Sequence, residues 1–146
     1  MAFQLYKSGR GTGEFETERF YAEGAITAGM PVYLRAGDSG ESFGKVSQLA
    51  GGSAATELLY GVAVSSAVDE AEVEVIPAIA GSLWLVDAAA NTNVTSVAQD
   101  NYLASTTLLL TVGASTNQGK KCHIIGVKGA AAARKYICRF TNTSGV

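Results

Sequence analysis

The chain reads as an all-β protein, a small β-barrel or β-sandwich of short strands with an extended N-terminal arm and at most one or two short helical turns. Three observations predict this. Residues 71–79 alternate strictly: Ala71, Val73, Val75, Pro77 and Ile79 fall on one face, and Glu72, Glu74, Ile76 and Ala78 on the other. That is the period of an extended strand, whose successive side chains point to opposite faces. Short apolar runs recur at near-regular spacing between Gly-rich turns, as in sandwiches and barrels. The one late helix candidate, residues 129–134, is too short to hold without tertiary support.

The elements follow in order. Residues 1–17 contain Gly9, Gly11 and Gly13 and read as a flexible arm, ahead of a single β-rich domain over 18–146. Gly29 before Met30 and Pro31 marks a turn, and residues 32–34 a short strand. Residues 37–44 are a polar loop, 45–49 a strand and 50–56 a loop of small residues. Residues 58–64 are apolar, and 67–70 turn them into the alternating strand. Residues 83–86 are apolar at consecutive positions, so both their faces are expected to be buried. Residues 88–100 read as a long loop or one helical turn. Residues 102–105, 108–112, 122–127 and 135–140 complete the strands.

A faint echo runs through this series. Tyr33 and Leu34, followed later by Gly61 and Val62, return as Tyr102 and Leu103, followed by Gly126 and Val127. Either a β-unit is duplicated or two sets of strands share the same β-forming residues.

A length of 146 residues suits one domain with a sizeable core, and a charged share of 16% is low for a soluble surface. No apolar run reaches the roughly 18 to 20 residues of a membrane span. No secretory signal is visible at the amino terminus, so synthesis in a cytoplasm is expected. The net charge of −2 conceals an asymmetry. Ahead of residue 117 stand all 13 acidic residues and five basic ones, a balance of −8; the remainder holds six basic residues and no acid, a balance of +6. Such asymmetry can mark a nucleic-acid arm, but here the cations interleave with Ile124, Ile125, Val127, Tyr136 and Phe140. Basic strands beside acidic ones, within the fold or across a subunit contact, are the better reading.

Chemistry is sparse. Cys122 and Cys138 are expected as free buried thiols, a disulfide between neighbouring strands being the alternative, and no spacing suits zinc. His123 follows Cys122 directly; on a strand the two face opposite ways and cannot form a thiolate–imidazole pair. Asp38, Asp69, Asp87 and Asp100 sit in expected turns, which explains them without catalysis. Glu72 and Glu74 share a strand face but lack a third ligand for a cation, and Glu14, Glu16 and Glu18 repeat that pattern. The glycines flanking Arg10 match neither phosphate-binding order, which leaves Arg10 as a contact on some partner. Trp84, between Leu83 and Leu85, reads as core. Phe3, Leu5 and Tyr6 need something to pack against, either a strand of the same domain or a partner. No catalytic residue, metal ligand or cofactor site is expected.

Three pieces combine into a resemblance. Gly29, Pro31 and Val32, then Gly61, Val62, Ala63 and Val64, then Val73 and Val75 after an acidic turn, resemble small bacteriophage head decoration (capsid cement) proteins over residues 25–86. The resemblance implies a non-enzymatic structural protein of the virion, assembled in the host cytoplasm. Such a protein binds the outside of the assembled capsid at its symmetry axes and stabilises it against internal DNA pressure. Its partners would be the major capsid protein and itself, commonly as a homotrimer, a dimer being the alternative, with neither membrane nor direct nucleic-acid contact. An N-terminal arm would reach onto the capsid, with Phe3, Leu5, Tyr6 and Arg10 as candidate contacts. Glu72 and Glu74 become candidates for a subunit contact with basic residues such as Lys120 and Lys121. The competing readings are a tail- or fibre-associated β-module of the virion and an unrelated carbohydrate- or nucleic-acid-binding β-domain.

Overall fold

The computed structural model describes residues 4–7, 16–35, 44–48, 59–79, 81–87, 100–103, 110–112, 122–129 and 135–140. Along them run β1 (Gln4–Lys7), β2 (Glu18–Tyr21), β3 (Pro31–Leu34), β4 (Val46–Gln48), β5 (Leu59–Ala63) and β6 (Glu72–Pro77). They continue with β7 (Leu83–Asp87), β8 (Asp100–Leu103), β9 (Leu110–Val112), β10 (Cys122–Lys128) and β11 (Lys135–Phe140). No helix occurs among the described residues, and the protein is all-β.

The strands form two antiparallel sheets. The first has the order β2-β6-β5-β3-β4, the second β1-β7-β11-β10-β8-β9. With β1 set aside, the second order is the first with every strand advanced by five: β7, β11, β10, β8 and β9 stand where β2, β6, β5, β3 and β4 stand. The hairpins β3–β4 and β8–β9 even share a register, with Tyr33 opposite Ser47 and Tyr102 opposite Thr111. The echo in the sequence therefore falls on topologically equivalent strands, which shared β-propensity alone does not require. The equivalence is one of plan more than of register throughout: Val32 faces Gly61, whereas Asn101 faces Cys122 and not Gly126. The chain repeats one strand plan twice.

Two apolar clusters result. One lies inside the curl of the first sheet, where Val32, Val46, Val73 and Val75 pack with Ala22, Ile26 and Met30. Residues 22–30 fold across it: Ala22 bridges Val46 in parallel, Ile26 bridges Ala67, and the Glu23 N–H donates to the Val46 carbonyl at 2.9 Å. Gly29, at φ 86°, makes the turn into Met30 and Pro31 in a conformation other residues avoid, and its N–H donates to the Ala63 carbonyl at 2.6 Å. Edges β2 and β4 are thus drawn together by one bridge, not a ladder, so the sheet is curled and remains open.

The second cluster lies between the sheets. Leu59, Val62 and Ile76 of the first meet Trp84, Val86, Tyr136, Cys138 and Phe140 of the second, with the Trp84 and Phe140 rings 5.4 Å apart. Each such side chain taken out of water contributes about 1.5–3 kcal/mol of transfer free energy. β6 serves both clusters: Val73 and Val75 enter the inner one, and Ile76, with Ala78 just past the strand, the inter-sheet one. The equivalent face of β11 supplies Tyr136 and Cys138, since Val62 pairs with Ile76 as Val127 pairs with Tyr136. The two halves therefore meet in part through equivalent faces of β6 and β11. Packed this way, the pair of sheets is a sandwich, which decides between the two architectures expected.

Several expectations change. Within the stretch expected as an arm, Gln4–Lys7 is an edge strand on β7, because Leu5 stands opposite Trp84 and packs against the inter-sheet core. β2 was not foreseen as a strand, since its exposed, exposed, half-buried, exposed sequence shows no alternation. Asp87 and Asp100 lie at strand ends and not in turns. Asp69 does hold a turn: its Oδ1 accepts the Gly24 N–H at 2.8 Å. Cys138 is a free, buried thiol opposite Ile124, while Cys122 stands opposite Phe140, so the disulfide alternative falls. Asp38 and the helical turns expected within 88–100 and 129–134 lie outside the described residues, except for Asp100, which begins β8, and Gly129.

Candidate interaction surfaces

Beyond the part of the first sheet that the second covers, β6 and β2 leave an exposed end. The ladder sets Arg19 opposite Glu74 and Tyr21 opposite Glu72. Arg19 Nε lies 3.4 Å from Glu74 Oε1, an open pair with side chains 71% and 41% exposed, worth about 0–1 kcal/mol. Glu72 is exposed and makes no ion pair among the described residues. The Val64 N–H donates to the Glu74 carbonyl at 2.9 Å, so Val64 borders the same strip. The neighbouring turn carries Val68, 72% exposed, beside Asp69 and Glu70.

Polar contacts brace this end from behind. The Tyr60 hydroxyl donates to Glu18 Oε2, and the Phe20 ring stands edge-on to Tyr60 at 5.2 Å. Burial, followed by the bond to Glu18 and its charge, pushes the Tyr60 hydroxyl up to about 12. Lys45 Nζ donates to Glu70 Oε1 at 2.5 Å, and that bond is the largest cause raising the lysine above its ordinary value. Glu70 itself sits at φ 66°, a left-handed conformation that costs a non-glycine residue energy. Arg35 joins Glu23 at 3.2 Å and donates to the Tyr33 hydroxyl at 2.8 Å, fastening residues 22–30 to β3.

On the second sheet, cations stand beside acids: Lys135 is opposite Asp87 and His123 opposite Asp100 on the ladders. Lys128 Nζ lies 5.0 Å from the centre of the Tyr6 ring, within cation–π range. Ile125, at the register shift of β10, is 36% exposed, and Lys128 and Arg139 are exposed. Where the two sheets meet, a partly open cavity of about 250 Å³ is lined by Ile79, Ser82, Trp84, Arg139 and Phe140, among others.

The residues singled out by sequence divide accordingly. Glu72 and Glu74 share one strip as expected, but Glu74 takes its partner from Arg19 of β2 and not from the basic strands. β6 borders β2 and β5, while β10 and β11 belong to the other sheet. Leu5 is taken by its own domain, whereas Tyr6 remains 45% exposed. Phe3, Arg10, Lys120 and Lys121 lie outside the described residues. Tyr21, Val64 and Val68 were missed; the available signal was Val68, an apolar residue in an otherwise polar turn. Among the described residues, no group of three or more His, Cys, Asp or Glu could hold a metal ion. His123 stands opposite Arg139 on the ladder, one position along from Cys122. No protein-family model matches the chain, and no curated protein matches it.

Proposed function

We propose that this chain is a decoration protein of a bacteriophage head, a structural component that binds the outer surface of the assembled capsid and stabilises it. One observation carries the reading. The three sequence words behind the resemblance are not dispersed: they form β3, β5 and β6, three neighbouring strands of one sheet, with Pro31 opposite Val62 and Ala63 opposite Val75. The likeness thus corresponds to a folded unit.

The surface suits such a role. Its exposed apolar side chains lie in small groups beside charges, and many identical sites on a shell make a modest affinity per contact sufficient. The test is to mix the purified protein with expanded, empty shells of its own phage at micromolar concentration. Co-sedimentation with the shells and a rise in their disruption temperature are expected. Shells that sediment without it at that concentration overturn the reading.

A further inference from the structure

The chain passes from its first half to its second through residues 78–82. Its course there is tight: the Ile79 N–H donates to the Pro77 carbonyl and the Ser82 N–H to the Ile79 carbonyl, both at 3.0 Å, and Gly81 takes φ 84°. Between this link and the neighbouring ends of β7 and β11 lies the cavity of about 250 Å³. Exposure ranks its lining from floor to mouth. Trp84, Ser82 and Phe140 are buried, Ile79 is half-buried, and Arg139 is exposed. Ser82 is the one buried polar residue among those described, and it stands in a wall that is otherwise mainly apolar and aromatic. A hydroxyl donates one hydrogen bond and accepts two, so it can serve a guest as well as the chain. The Phe140 ring, tilted at 55° to Trp84, is placed to pack a further ring by its edge or in an offset stack. An apolar pocket with a few polar groups is the usual composition of a small-ligand site.

We infer that this cavity is a binding site for a phenol group. The guest's hydroxyl bonds to Ser82, its ring lies against Phe140 and Ile79, and the position opposite the hydroxyl faces the opening. About 150 Å³ of apolar cavity already holds benzene, so the space here admits one ring and its substituent. A packed interior leaves few such voids, and the guest supplies the contacts that the void forgoes. Because the cavity is open on one side, the group is either a free phenol or the tyrosine side chain of a partner, and the chemistry is the same for both. The guest touches Ile79 at the end of the first half and Phe140 at the end of the second, so occupancy holds the halves together and stabilises the fold by mass action. None of this rests on shell binding.

The experiment titrates the isotope-labelled full chain with phenol and follows its amide signals. Shifts centred on Ile79, Ser82 and Phe140 are expected, with a dissociation constant of about 1 mM or tighter. The unfolding temperature should rise with phenol concentration. Ser82→Ala should weaken phenol by about two- to tenfold and leave toluene unchanged. Ile79→Trp, altered at the half-buried mouth, should fill the space and abolish binding. Ile79→Ala, which removes part of the wall, should weaken it and serves where the tryptophan variant does not fold. N-acetyltyrosine amide separates the two sources: binding like that of phenol assigns the site to a tyrosine side chain, and its exclusion while phenol binds assigns the site to the free molecule. The inference is overturned by the absence of shifts at about 10 mM phenol, by cyclohexanol binding as tightly, or by an affinity that Ser82→Ala and the Ile79 variants leave unchanged.

Discussion

Gly61 passes so close to Ile76 on the neighbouring strand that a Cβ at position 61 would stand 2.2 Å from the Ile76 carbonyl oxygen and 2.8 Å from a Val75 methyl group. Backbone cannot yield as a flexible side chain does, so β5 and β6 must move apart to admit even one carbon. Gly61→Ala is expected to cost about 1–3 kcal/mol. Gly126, its counterpart in the second half, is different: there a Cβ would meet Ile137 Cδ1 at 3.7 Å, ordinary contact. Gly126→Ala should change stability by about 0.5 kcal/mol or less. Urea unfolding of the two variants tests the contrast, and equal losses would contradict it.

Trp84 joins the two halves. It is the protein's one tryptophan and is almost fully buried between the sheets, so its fluorescence reports the inter-sheet core alone. Native emission should be blue-shifted, and should move to the red in the same unfolding transition that circular dichroism records. Trp84→Ala should cost about 3–5 kcal/mol. An emission change well before the loss of β signal would mean that the halves separate before they unfold.

Tyr60 makes stability depend on alkaline pH. Its hydroxyl titrates near 12 in the folded protein and near 10 when unfolded. Between those values the folded state holds a proton that the unfolded state has released, so stability falls as pH rises. The contribution is fully present below about pH 10 and is lost as pH approaches about 12. Tyr60→Phe should flatten that part of the stability curve, and Glu18→Gln should bring the tyrosine's ultraviolet titration towards its ordinary value. An unchanged titration in Glu18→Gln would remove Glu18 as a cause.

Glu70 bears a backbone cost that its hydrogen bonds offset. Its N–H donates to the Ala22 carbonyl at 2.9 Å and its carboxylate accepts from Lys45, both holding φ at 66°. Glu70→Gly loses the lysine contact but relieves the strain. Glu70→Val loses the contact and places a branched side chain in the same conformation. The valine variant should be less stable than the glycine variant by about 1–2 kcal/mol, measured by thermal or denaturant unfolding.

The legible parts of this chain were those with a period. The alternation over residues 71–79 announced β6 and both its faces, because burial on one side of a pleated strand leaves that pattern. β2 left none: three of its four side chains are exposed, and its place is set by pairing with β6. The bridging by Ala22 and Ile26 was invisible for a related reason, since single bridges have no repeat. Charge was read as segregated; within the chain, sheet order puts Arg19 and not the distant cations beside Glu74. The repeated plan showed only as two short words, since sandwich packing constrains strand order far more than it constrains residue identity.

One consequence of that repeated plan concerns direction. Two halves of like architecture and like charge would make a molecule without electrical polarity. Here the sequence carries −8 ahead of residue 117 and +6 after it, so the two repeats of the plan differ in charge. A charged surface therefore meets two unlike ends of the sequence, and its field favours encounters with one of them.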